Sequence, residues 1–183
     1  GVGGMQQYSR DLIQASKFLK GFKIEICELN SMVSFPFQAL KRGLKVAKFG
    51  GHIHFTDAAL SSIGGLIKAT YPKSKVTVTA HGLDLIHHPS WYQNLIKRSP
   101  PKIDTVVCNS KATQNEAIIR GAKNTVVIPC GVWNCKVKSK QKNKHPVLIS
   151  VGRLIPRKGN EWFIKNVFPE VLYKYPDAQY RII

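Results

Sequence analysis

The sequence predicts an α/β protein: a doubly wound parallel sheet over residues 1–130, and the start of a second sheet of the same kind over residues 147–183. Three observations predict it. Short β-branched runs alternate with stretches of helical period through the first 130 residues, the pattern of repeated strand–helix–strand units. From residue 131 to residue 146 the alternation stops. Lysines at 136, 138, 140, 142 and 144 punctuate a stretch without period, which reads as an exposed basic linker between domains. The strand–helix–strand pattern then resumes.

Each element has its own signal. Residues 6–20 place Tyr8, Leu12, Ala15 and Leu19 on one helical face. Residues 23–29 alternate apolar and polar, as a short strand would. Residues 37–49 are helical and basic: Phe37, Leu40, Leu44 and Ala47 form one side, and Lys41, Arg42, Lys45 and Lys48 lie off it. A strand over 52–55 leads to a helix over 58–69, and a strand over 75–80 to a helix over 91–98. A strand over 105–108 precedes a helix over 111–120 that Gly121 stops. Residues 125–128 are β-branched, and Pro129 closes the series. In the second domain, residues 147–151 and 178–183 read as strands and residues 160–175 as one helix. No strand precedes Gly1-Val2-Gly3-Gly4. The first strand of a doubly wound sheet lies near its centre, so the first domain is expected to lack it, and both ends are expected to be cut.

Composition bounds the functional classes. Of the 183 residues 43% are hydrophobic, enough for a packed core and against disorder. The formal net charge of +18 calls for an anionic partner: a phosphorylated substrate, an acidic membrane face or nucleic acid. No apolar stretch approaches the roughly 20 residues that span a bilayer. Cys27 and Cys108 lie in strand-like runs, where reduced buried thiols are usual. Cys130 and Cys135 have no companions at zinc-ligand spacing. These features predict a reducing, cytoplasmic setting and no metal. His87 and His88 likewise lack a carboxylate or cysteine at metal spacing and read as surface residues.

Three constellations carry chemistry. Gly3 and Gly4 run directly into the first helix, where glycines let backbone N–H groups approach a phosphate and the helix dipole favours its charge. His81 follows the strand over 75–80 at once, and open α/β sheets place their ligands at that end. A histidine bonded only to backbone is the plainer reading of the same position. The run Ser150-Val151-Gly152-Arg153-Leu154-Ile155-Pro156-Arg157-Lys158-Gly159 joins a strand to a helix through a loop holding Arg153 and Lys158. A forked guanidinium with a compact ammonium suits a diphosphate.

This last run resembles the donor-diphosphate motif of the retaining GT-B glycosyltransferases (family 4), the group that includes the bacterial phosphatidylinositol mannosyltransferases. The residues from Gly3 to Leu12 are similar to the opening loop and helix of that group. So are His81-Gly82, Cys108-Asn109-Ser110-Lys111, residues 126–132 and Pro176-Asp177-Ala178, in the family's order. The sequence departs at Trp133, where the family has aspartate. The resemblance implies a GT-B fold with two Rossmann-like domains: an acceptor domain over 1–130 and the opening of a donor domain over 147–183. It implies transfer of a hexose from a nucleotide diphosphate sugar to an acceptor hydroxyl, with retention and without a metal or other cofactor. Arg153, Lys158, Gly3 and Gly4 would contact the donor diphosphate, with Lys158 rather than Arg157 as the second cation, and His81 would contact the sugar. The acceptor would be lipid-linked or a growing glycan, at the inner face of a membrane.

The family also carries two glutamates eight positions apart. Here Glu161 and Glu170 are nine apart and fall in another helix, so this polypeptide is expected to be inactive alone. The basic side of residues 37–49 can meet anionic head groups. Two other readings stay open: a non-catalytic remnant that binds acceptor or membrane, and a nucleic-acid module. The second lacks the interleaving of aromatic and basic residues that single-strand binding uses.

Overall fold

The computed structural model of the chain describes residues 3–28, 31, 33–86, 89–99, 102–134 and 144–183. His87, His88, Cys135 and most of the expected linker lie outside them. The chain divides into two compact units, Gly1–Val132 and Trp133–Ile183.

The first unit is an α/β layer structure on four parallel strands: β1 (His52–Phe55), β2 (Lys75–Ala80), β3 (Thr105–Cys108) and β4 (Thr125–Val127), in that spatial order. Its helices are α1 (Gly4–Ser16), α2 (Phe35–Lys48), α3 (Ser61–Thr70), α4 (Leu83–Ile86), α5 (Ser90–Arg98) and α6 (Lys111–Ile119). Register pairs Ile53 with Val76 and Phe55 with Val78, so these residues share one sheet face. That face is the core. Val76, Val78 and Ala80 are almost wholly buried with Ile67 of α3 and Ile96 of α5. Gly64 lets α3 approach closely: a methyl group there would stand 2.8 Å from Ile103 and 2.9 Å from Val76. α2 packs on α3 through Gly43, which has Ile67 directly against it. The opposite face carries His52, His54, Thr77 and Thr79, and meets α1.

Four strands in one order make a parallel α/β sheet compatible with a Rossmann-like fold. Among the described residues the order does not reverse, as a doubly wound sheet requires.

Several elements differ from the sequence expectation. Residues 22–28 form no strand, because no backbone group in them pairs with another among the described residues. The first helix stops at Ser16: the Phe18 and Leu19 amides bond three residues back, and Gly21 turns the chain at φ 81°. The helix expected from residue 58 opens with a separate 3-10 turn, Ala58–Leu60, capped by Asp57. Phe37 lies outside the buried face of α2, which consists of Ala39, Gly43 and Ala47.

The second unit pairs β5 (Val147–Ser150) with β6 (Gln179–Ile182) in parallel. The single helix expected over 160–175 is two, α7 (Asn160–Asn166) and α8 (Phe168–Lys174). Pro169 has no N–H for the continuing ladder, and Val167 takes φ −119° at the break. Phe163, Phe168 and Tyr180 stack together. Buried Asn160 accepts from Ser150 Oγ and Tyr180 Oη, each at 2.9 Å, tying both strands to α7.

Candidate functional site

The first unit assembles its candidate residues around His81, at the C-terminal end of β2. The next residue is Gly82, whose φ of 94° and 3.1 Å clearance from Thr113 Oγ1 would strain any side chain. His81 is held at three atoms. Its N–H donates to both carboxylate oxygens of Asp84, at 2.9 and 3.0 Å. Its carbonyl accepts from Asn109 Nδ2 at 3.4 Å. Its ring Nε2 lies 3.0 Å from the Thr56 carbonyl. A carbonyl only accepts, so Nε2 carries the proton, and in the neutral ring Nδ1 keeps a lone pair. The Tyr8 ring of α1 meets the imidazole edge to face at 4.9 Å. Such pairs contribute about 0.5–1.5 kcal/mol beyond burial.

Asp84 is the buried centre of this arrangement. One of its oxygens also accepts the Ala58 N–H at 3.1 Å, joining the 3-10 turn after β1 to the loop after β2. Burial raises its pKa, against the lowering effect of the Ala58 and His81 amides. Tyr92 Oη donates to the Asp84 carbonyl. Cys108, at the end of β3, has its thiol pushed up to about 11 by burial and by Asp84, which leaves it inert as a nucleophile. Cys27, Cys108 and Cys130 are free thiols.

α1 enters the same region. Ser9 Oγ lies 3.0 Å from Thr56 Oγ1 and Tyr8 Oη 3.3 Å from Thr79 Oγ1. Tyr8 is four residues past Gly4, so His81 packs about one helical turn, roughly 6 Å along the axis, from the start of α1. The Gly3 N–H is taken by Gln6 Oε1 at 2.9 Å. The amides of Gly4, Met5 and Gln6 have no earlier turn to bond. Neither glycine is needed for packing or conformation: a methyl at Gly4 meets nothing within 4 Å, and φ at Gly3 is −74°.

Behind Tyr8 a polar chain crosses the sheet. Thr79 Oγ1 lies 3.1 Å from His54 Nε2, and His54 Nδ1 and His52 Nε2 lie 2.8 and 2.9 Å from Thr77 Oγ1. Desolvation of its ring by the groups packed around it, with His52 beside it, lowers the His54 pKa to about 4, although part of the side chain stays exposed.

The second unit holds the other candidates. β5 ends at Ser150, and the loop after it turns at Gly152, φ 153°. A methyl on Gly152 would stand 3.3 Å from Lys158 Cε and 3.7 Å from its Nζ. The Lys158 side chain therefore folds back against Gly152, the residue before Arg153. A 3-10 turn, Pro156–Lys158, and left-handed Gly159, φ 70°, return the chain to α7. Arg153, Arg157 and Lys158 are exposed, and among the described residues none has an anionic partner.

The sequence singled out His81, Gly3, Gly4, Arg153 and Lys158. It missed how the supports touch: Tyr8, Thr56 and Asn109 around His81, the Asp84–Ala58 link, and the seat that Gly152 gives Lys158. Asp84, three residues after His81 and at the start of a helix, was the one local signal available. Among the described residues no group of three or more His, Cys, Asp or Glu could hold a metal, and no helix is long and apolar enough to cross a membrane. No protein-family model matches the chain, and no curated protein matches it significantly.

Proposed function

We propose that this chain is part of a retaining glycosyltransferase of GT-B type that transfers a hexose from a nucleotide diphosphate sugar to an acceptor hydroxyl. The observation that carries the reading is the pair of cations at the C-terminal end of β5, without anionic partners among the described residues, with Lys158 folded against Gly152. Negative charge grows on the departing diphosphate as the glycosidic bond breaks. Arg153 offers it planar paired donors, and Lys158 a point charge. The free amides at the start of α1 are a further phosphate-binding element. His81 Nδ1 accepts a hydrogen bond from a sugar hydroxyl, while Thr56 fixes the tautomer and Tyr8 the ring. The exposed lysines of α2, Lys41, Lys45 and Lys48, face anionic head groups of a membrane surface, each contributing about 1 kcal/mol there.

The test is calorimetric titration with nucleotide diphosphate sugars in one arm and a mixed-sequence oligonucleotide in the other. Heat with a nucleotide sugar in the presence of EDTA is expected. Tight, salt-sensitive oligonucleotide binding with no nucleotide-sugar heat would make this a nucleic-acid module instead.

A further inference from the structure

The sheet face opposite the core of the first unit carries two histidines that the proposed sugar transfer does not use. His52 and His54 are two residues apart in β1, so their side chains stand on the same face. Both are exposed, while Ile53 and Phe55 turn to the core. On the neighbouring strand, register sets Lys75 opposite His52 and Thr77 opposite His54.

The two rings converge on one atom. His52 Nε2 lies 2.9 Å and His54 Nδ1 2.8 Å from Thr77 Oγ1. A hydroxyl has one proton, so it donates to only one of these nitrogens, and the other must bring its own. The far side of the His54 ring has a partner too. Its Nε2 lies 3.1 Å from Thr79 Oγ1, which is itself 3.3 Å from Tyr8 Oη. When Thr79 donates to Tyr8 it accepts from His54. A neutral His54 then carries its proton on Nε2 and a lone pair on Nδ1, and that lone pair is directed where His52 Nε2 is directed.

These are the parts of a two-histidine chelate. Imidazole nitrogens bind zinc at about 2.0–2.1 Å, so two of them on one tetrahedral ion stand roughly 3.3 Å apart. Nitrogens already within hydrogen-bond distance of one oxygen reach that separation by turning the rings. A ligating histidine donates its other N–H to a fixed acceptor, which sets tautomer and orientation, and Thr79 is that acceptor for His54. Desolvation holds the His54 pKa at about 4, so at neutral pH the ring is uncharged, the state that a metal requires. Lys75 is a cation on the same face and holds the affinity down.

We propose that His52 and His54 form a chelating site for one borderline divalent cation, of the Zn2+ or Cu2+ class, bound through His52 Nε2 and His54 Nδ1. Among the described residues no third His, Cys, Asp or Glu completes the set, so water fills the remaining positions. Two imidazoles favour Cu2+ over Zn2+ and exclude Mg2+ and Ca2+, which take oxygen ligands. Coordination at Nδ1 keeps the His54 proton on Nε2, so the bound ion also fixes the direction of the hydrogen bonds that run through Thr79 to Tyr8 of α1. The site is separate from the cations of the second unit and does not depend on the sugar-transfer reading.

The experiment titrates the metal-free, 15N-labelled full chain with zinc chloride and follows the histidine ring nitrogens by NMR. His52 Nε2 and His54 Nδ1 are expected to shift together and saturate at one equivalent, with the rings of His81 and His145 unmoved. Calorimetry of His52→Gln and of His54→Gln, each shown folded by circular dichroism, is expected to give Zn2+ binding weaker by a factor of at least about ten. Magnesium chloride should shift nothing, and Cu2+ should displace Zn2+. Undiminished Zn2+ binding in the folded variants overturns the proposal. So do shifts confined to other histidines or to the cysteines, or the absence of any shift at millimolar Zn2+. His52 is exposed, so the His52→Gln arm decides alone if His54→Gln fails to fold.

Discussion

Replacing Asp84 by Asn tests the support beneath His81. The carboxylate receives the His81 N–H on both oxygens and the Ala58 N–H on one. Asn keeps one acceptor and turns an NH2 group toward the other donor. One buried backbone N–H is then left facing a donor, which costs about 1–3 kcal/mol. Relief from burying a charge offsets part of this, since burial already disfavours the ionised form of Asp84. The net expectation is about 2 kcal/mol of destabilisation, a fall in Tm of roughly 6–10 °C for a unit of this size. Urea and thermal unfolding measure it, and amide exchange locates it: opening should rise at Ala58 and His81 first. The pH dependence has a definite sign. The folded pKa is raised above the ordinary carboxylate value of 3.8, so the protonated form is favoured in the fold. The Asp84 contribution is fully present below that value and is lost as pH rises through the folded pKa. The advantage of the native chain over D84N should therefore widen on acidification. A Tm within 2 °C of native, or an advantage that shrinks toward pH 4, would refute the reasoning.

Three further outcomes follow from the same geometry. His54→Gln removes a group with folded pKa about 4 against 6.5 unfolded; between these values the unfolded chain binds more protons, so the native chain should lose stability relative to the variant as pH falls from 6.5 to 4. Gly64→Ala crowds Ile103, Val76 and Phe55; overpacking of about 1–3 kcal/mol exceeds the gain in helix propensity of about 1, so urea unfolding should show a net loss. Gly4→Ala meets no neighbour within 4 Å, so Tm should hold or rise slightly while nucleoside diphosphate affinity, measured by calorimetry, drops. Unchanged affinity would remove the start of α1 as a phosphate-binding element.

What could be read from sequence was local. The strand over 75–80 with His81 behind it, and the loop from Gly152 to Gly159, are contiguous patterns whose burial and turn chemistry speak for themselves. The alternation of residues 23–29 was equally visible, but a strand needs a neighbour, and pairing is non-local. Pro169 was in plain view, yet the helical period on either side of it concealed a break that its missing N–H imposes. The reach of Asp84 to Ala58 and of Tyr8 to His81 joins residues 26 and 73 apart in sequence. No period or spacing encodes such contacts.

The central claim is that the loop after β5 binds a diphosphate, and one comparison tests it most directly: calorimetry of the chain and of R153A/K158A with a nucleoside diphosphate in EDTA. Two charge-assisted contacts of about 1.5–3 kcal/mol each predict at least a hundredfold weaker binding in the double variant, with Tm unchanged because both side chains are exposed. Equal affinity in the two proteins would contradict the account.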